Sequence, residues 1–228
     1  MELRADGLVK QYGPYTALDG LDLRLAEGEK VGVLGPNGSG KTTLLDVLTG
    51  LATPTDGVVR VDGQPATDDP AHLRRNLGYV AHETMLYDEL TARENLRLHA
   101  GFQGQTEDRV EAVLDLVDLS HRGNSSPRSF SHGMKKRLSF ARAELGSPPT
   151  FLLDEPFTGL DQDSRATVID LLEDRSVLLV THDFAHARSI CDRVVVLQAG
   201  TVAETARTDT FESRRDLREW YQNALEAA

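Results

Sequence analysis

Apolar residues recur along this chain in two rhythms. From Leu3 to Leu25 they alternate loosely with polar residues, and turn signals stand at Gly13-Pro14 and Asp19-Gly20, so the stretch reads as antiparallel strands. Short apolar runs at Lys30–Leu34, Val58–Val61 (closed by Asp62-Gly63) and Leu77–Val80 predict further strands, and Thr42–Leu48 predicts a helix. From about Thr91 to Leu145 the rhythm is helical: Val110, Val113, Leu114 and Val117 fall at i, i+3, i+4 and i+7, one face of a helix. Strand character returns at Phe151–Leu153 and Val177–Val180, on either side of a helix over Gln162–Glu173. Arg193–Leu197 and Thr201–Glu204 flank Ala199-Gly200 as a hairpin, and Phe211–Leu225 reads as a final helix within about 208–226. Strands alternating with helices, interrupted by a helical stretch, predict an α/β fold: a mainly parallel core with a helical subdomain inserted at about 85–147.

The 228 residues suffice for one sizeable domain and are too few for two, so 1–228 is read as a single unit. No uncharged apolar run approaches the roughly 18 residues that span a bilayer, and Glu2, Arg4 and Asp6 break up the start. The expectation is a soluble, non-exported chain whose membrane role, if it has one, comes through a partner. A net charge of −11 argues against nucleic-acid binding, which needs a positive surface. The single Cys191 excludes an intramolecular disulfide and is expected to fill core space.

Chemistry concentrates in three places. Gly35-Pro36-Asn37-Gly38-Ser39-Gly40-Lys41-Thr42 matches G-x-x-x-x-G-K-[ST] between a strand and a helix. Its glycines let successive backbone N–H groups turn inward as an anion nest, and the helix that starts there adds its own unpaired N–H groups. Lys41 can reach the β- and γ-phosphates of a nucleotide, and the Thr42 hydroxyl, followed by Thr43, can ligate Mg²⁺. The second place is Phe151-Leu152-Leu153-Asp154-Glu155, an apolar strand ending in two carboxylates. Asp154 would hold Mg²⁺ directly or through water, and Glu155 would polarise the attacking water as general base. The third is His182, at the carboxyl end of the strand Ser176–Thr181, where a hydrogen bond to the γ-phosphate is in reach.

In this order, and over nearly the whole chain, these residues resemble the ATP-binding subunit of ABC (ATP-binding-cassette) transporters. Ser131-His132-Gly133-Met134, ahead of Lys135, Lys136 and Arg137, is similar to that family's L-S-G-G-Q signature, and Gly159-Leu160-Asp161 to its D-loop. The resemblance implies ATP and Mg²⁺ as cofactors and a P-loop NTPase core with an antiparallel β-subdomain. It further implies a homodimer or heterodimer in which Ser131 and Gly133 of one subunit close over ATP on the other. Asp161 would relay between the sites, and Tyr12 would stack on adenine, strand packing being its alternative. The partner implied is an integral membrane permease at the cytoplasmic face.

Two positions depart from the family pattern. His82 stands where the family has Gln; a neutral imidazole keeps a metal or water contact there, and a protonated one does not. His132 replaces the first signature Gly and sets a bulky ring beside the expected triphosphate. Together with Tyr87–Leu96, these features resemble the haem exporter branch of cytochrome c maturation. A multidrug-type exporter ATPase and a soluble non-transport ATPase, such as one serving iron–sulfur assembly, stay open. A P-loop kinase is disfavoured by the signature segment and Glu155.

Overall fold

A computed structural model describes residues 1–227. Leu3–Tyr12 (β1) and Tyr15–Leu25 (β2) pair antiparallel around the Gly13-Pro14 turn. The turn expected at Asp19-Gly20 is not one. Both residues lie inside β2, where Leu8 pairs with Leu21 but Lys10 with Leu18, so β2 carries one extra residue. Gly20 takes φ +70 at this bulge, and Asp19 N–H donates 3.0 Å to Gly200 O. A local kink has replaced a chain reversal and gives the distant Ala199-Gly200 hairpin a place to dock.

Lys30–Leu34 (β3) leads through the Gly-rich loop into Lys41–Leu48 (α1). Asp56–Val61 (β4), Gln64–Pro65 (β5), Pro70–Asn76 (α2) and Leu77–Val80 (β6) follow. Ala92–Gln103 (α3), Glu107–Leu116 (α4) and His132–Glu144 (α5) form the helical stretch. Thr150–Asp154 (β7), Gln162–Leu171 (α6), Ser176–Val180 (β8) and Phe184–Ile190 (α7) return to the core. Arg193–Gln198 (β9), Thr201–Arg207 (β10) and Arg214–Ala227 (α8) complete the chain.

One sheet is antiparallel, in the order β2-β1-β4-β5; the other runs β10-β9-β3-β8-β7-β6, parallel except for its β10 edge. The side chains of β7 and β8 divide strictly by parity. Phe151, Leu153, Val177 and Leu179 pack with the helical stretch, whereas Leu152, Leu178 and Val180 pack with Leu44, Leu45 and Leu48 of α1 and with the antiparallel sheet. Cover on both faces explains the unbroken apolar runs of these strands. Cys191 is buried, and burial pushes its thiol up to about 12, in keeping with a packing role.

Two helices lack a legible rhythm because each is only seven residues long: α2, capped by Asp69 Oδ1 accepting from His72 N–H at 2.9 Å, and α7, capped by Asp183. The last helix begins at Arg214 rather than Phe211, because Phe211 turns inward against Trp220, with ring centroids 5.4 Å apart. Among the described residues no helix is long and apolar enough to cross a membrane.

Candidate active site

The carboxyl ends of β3, β7 and β8 open onto one cleft of about 580 Å³, lined by Tyr15, Asn37, Gly38, Gly40, Lys41, Thr42, Thr43, His82, Glu83, Asp154, Glu155 and His182. The loop that floors it leaves no room for side chains at two glycines. A Cβ at Gly35 would overlap Leu197 O, and one at Gly40, which caps α1 at φ +104, would come within 2.5 Å of Ala17 O. These positions must present bare backbone, as an anion nest requires. Lys41 Nζ lies over the loop and donates to Gly35 O (2.9 Å) and Pro36 O (2.8 Å). Burial holds its ammonium below the usual lysine range, while the carboxylates of Glu155 and Asp154 work the other way. Ser39 is buried, and its hydroxyl has no partner among the described residues.

Consecutive residues of a strand point to opposite faces, so Asp154 and Glu155 cannot share a site while both are extended. The strand ends at Asp154, and Glu155 takes the left-handed conformation, φ +47. That single turn brings both carboxylates into the cleft, at the cost of backbone strain of the kind found at functional sites. Burial raises the Asp154 carboxyl above its ordinary range; the charges of His82, Lys136 and Lys41 lower it and that of Glu155 raises it. Glu155 Oε2 accepts from Thr181 Oγ1 at 3.1 Å, and its Oε1 lies 2.7 Å from His182 Nδ1.

The donor set fits Mg²⁺ carried by a nucleotide. Asp154, the Thr42 hydroxyl and His82 share the cleft, and a cation would offset the cost of burying the Asp154 carboxylate. Among the described residues no group of three or more His, Cys, Asp or Glu forms a self-sufficient metal cage, so phosphate oxygens and water would complete the coordination sphere.

Other expected site residues lie elsewhere. Ser131, Gly133, Tyr12 and Asp161 are absent from the cleft lining. Ser131 caps α5, its hydroxyl accepting from Met134 N–H at 3.2 Å. Asp161 caps α6, accepting from Ser164 N–H at 2.8 Å, and those Ser164 bonds hold its carboxyl below the usual range. Tyr12 is half exposed at the end of β1, with Lys10 Nζ 4.9 Å from its ring centroid. Tyr15, three residues on, lines the cleft and donates from its hydroxyl to Gly38 O at 3.1 Å. His132 packs against Gly159: a Cβ there would overlap its Cδ2, and one at Gly133 would meet Gly159 O at 3.1 Å. The bulky ring at this signature position therefore occupies space that Gly159 leaves free.

Sequence reasoning passed over Tyr15, Thr181 and Lys136. Thr181 stands beside His182 and was legible as a hydroxyl at a strand end; Lys136 carried no signal, because a lysine in a basic run reads as solvated.

Over residues 18–158 the chain matches the family model for ABC transporters. It is 37% identical over 220 residues to a daunorubicin resistance ATP-binding protein of Streptomyces coeruleorubidus, which is 92% of this chain and 70% of that protein. It is 35% identical over 215 residues to the Nod factor export ATP-binding protein I of Cupriavidus pinatubonensis, covering 90% and 66% of the two chains. A sulfate/thiosulfate import ATP-binding protein of Synechocystis is 34% identical over 219 residues, covering 92% and 61%. The chain spans between 60% and 76% of the length of such curated relatives. A solved ATP-binding subunit of an ABC transporter superposes with a TM-score of 0.88 at 31% identity, covering 99% of this chain and all of that one. A dimeric ATP-binding cassette in a post-hydrolysis state with ADP and Pi gives 0.81 at 30% identity, covering 90% and 98%.

Proposed function

Since this chain belongs to the ABC transporter family and is an ATP-binding, ATP-hydrolysing subunit, we propose that it works as a pair closed by ATP and drives a separate membrane permease. One observation carries the reading. The phosphate loop, Asp154, Glu155 and His182 share a single cleft, while Ser131 and Gly133, the other half of the expected grip, stand outside it. A second copy supplies them.

Within each cleft Lys41 and the backbone nest hold the phosphates, and Thr42, Asp154 and His82 hold the metal. Mg²⁺ supplies charge neutralisation at the phosphate oxygens. Glu155 takes the proton of the attacking water, and His182 with Thr181 keeps its carboxylate in place. Asp161 ties α6 to the junction between the copies. The chain sits at the cytoplasmic face through its permease. Export is the direction we adopt, on the resistance and export roles named for two relatives. Haem is the narrower cargo reading, supported by the likeness of His82, His132 and the Tyr87–Leu96 stretch to the haem exporter branch.

Mixing two variants tests the paired site. Lys41→Ala and Ser131→Arg each lose hydrolysis alone. Together they form one intact composite site, the phosphate loop of the second facing the signature of the first, and activity returns. No recovery in a mixture that still dimerises refutes the shared site. For cargo, the chain co-purified with its permease is assayed with haem: stimulated ATPase supports haem, and stimulation only by other compounds removes it.

A further inference from the structure

Residues 136, 139 and 142 fall three apart on one side of α5, and all three side chains donate to the main chain of the loop that bears His82. Lys136 Nζ donates to Ala81 O (3.0 Å) and His82 O (3.2 Å), Ser139 Oγ to Thr84 O (3.0 Å), and Arg142 Nη1 to Met85 O (2.8 Å). Lys136 is only 1% exposed, and Ser139 is fully buried beside it.

A buried ammonium is expensive, and an unbranched apolar side chain of the same length would fill the space without that cost. What such a chain cannot do is hold two consecutive carbonyls. In an extended strand these point opposite ways; here both turn onto one Nζ, so the backbone curls around Lys136 just where β6 ends. That curl sets the direction in which His82 leaves the main chain, and His82 enters the cleft that also holds Asp154. Asp154 and Glu155 supply the opposing charge that keeps the buried ammonium tolerable.

We propose that Lys136 is a positioning residue for ATP hydrolysis: through the carbonyls of Ala81 and His82 it fixes the 81–85 loop so that His82 faces Asp154 across the metal side of the cleft. The inference rests on the ATPase reading above. Supporting groups of this kind typically change metal affinity or activity by about 10–100-fold when removed.

The test uses the full chain as wild type, Lys136→Met, His82→Ala and the double variant, with Lys136→Arg as the conservative rescue. Lys136→Met is expected to lower kcat by about 10–100-fold. It should leave ATP affinity measured in EDTA within about threefold, because the phosphate loop is untouched. In nucleotide-free protein, amide exchange across residues 81–86 should quicken. Lys136→Arg should restore most of the rate, and the double variant should be no slower than His82→Ala alone. Losses that multiply in the double variant, or exchange at 81–86 equal to wild type, overturn the proposal. If Lys136→Met does not fold, Ser139→Ala removes one rung of the same clamp; it must quicken exchange at 81–86 and show the same lack of additivity with His82→Ala, or the proposal falls. A wild-type chain without ATPase would sink the function itself, whereas an active wild type with multiplying losses sinks only the role of Lys136.

Discussion

Nδ1 of His182 lies 2.7 Å from Oε1 of Glu155, and the two residues stand at the ends of neighbouring parallel strands, β8 and β7. A carboxylate only accepts, so the imidazole donates from Nδ1. The proposed general base, Glu155, is thus held from the adjacent strand, by His182 on one oxygen and Thr181 on the other.

Glu155→Gln keeps the size of the base and removes its proton affinity. The expected outcome is ATP binding close to wild type with hydrolysis lower by about 10²–10⁴-fold, the usual worth of a positioned base. With Mg-ATP the variant should elute from gel filtration as a dimer and without nucleotide as a monomer. A variant that hydrolyses near the wild-type rate takes Glu155 out of this role. His182→Ala should cost about 10–100-fold in kcat, as loss of a group that orients another.

Asp154 trades stability for chemistry. Its carboxyl is raised by burial, so the folded chain takes up that proton at a higher pH than the unfolded chain. Above the raised value the folded protein bears a buried charge that unfolding returns to water; the penalty fades as pH falls from that value towards the unfolded one. Asp154→Asn should therefore raise Tm at pH 7 without nucleotide, by about 2–4 °C for each kcal/mol recovered. The advantage should shrink as the pH approaches the ordinary aspartate range near ~4. Hydrolysis should be lost. A Tm at pH 7 equal to or below wild type contradicts this account.

The contact of His132 with Gly159 predicts a coupled pair. Gly159→Ala forces a side chain onto φ +76 and into the imidazole, and should destabilise the chain by about 1–3 kcal/mol. In a His132→Gly background the steric part vanishes and only the backbone strain is left. Urea unfolding of the two single variants and the double variant measures the difference; equal costs in both backgrounds would show that the two residues do not press on each other.

Tyr12, proposed to stack on adenine, and Tyr15, which lines the cleft, are the two candidates for that contact. Base–aromatic stacking is worth about 1–3 kcal/mol. Tyr12→Ala is accordingly expected to weaken ATP binding by roughly 5- to 100-fold with kcat little changed, and Tyr15→Ala to act mainly through the phosphate loop it touches at Gly38. Fluorescence titration with an ATP analogue ranks them; the reverse order assigns the stacking to Tyr15.

Much of the fold was legible because it is written locally. The apolar run Lys30–Leu34 entering Gly35–Thr42 names a strand, a nest and a helix start within 13 positions, and parity on β7 and β8 follows from burial on both faces. The Asp19-Gly20 bulge was misread because its dipeptide carries a turn preference that the docking of Gly200 overrides. Helices α2 and α7 were missed because seven residues make only two turns, too few for a period to show; the Asp69-Pro70 start was the signal available.

The residue types proposed to bind phosphate, hold a metal and activate water were set by the sequence alone, since a bare-backbone nest, a lysine and paired carboxylates are chemical requirements met within short windows. Tertiary structure alone decided that Glu155 turns left-handed to join Asp154, that His182 reaches it from the next strand, and that Lys136 lies buried under the His82 loop. These depend on contacts between segments 26 to 55 residues apart along the chain, and no local preference carries the distance or direction of a partner that the chain must fold to meet.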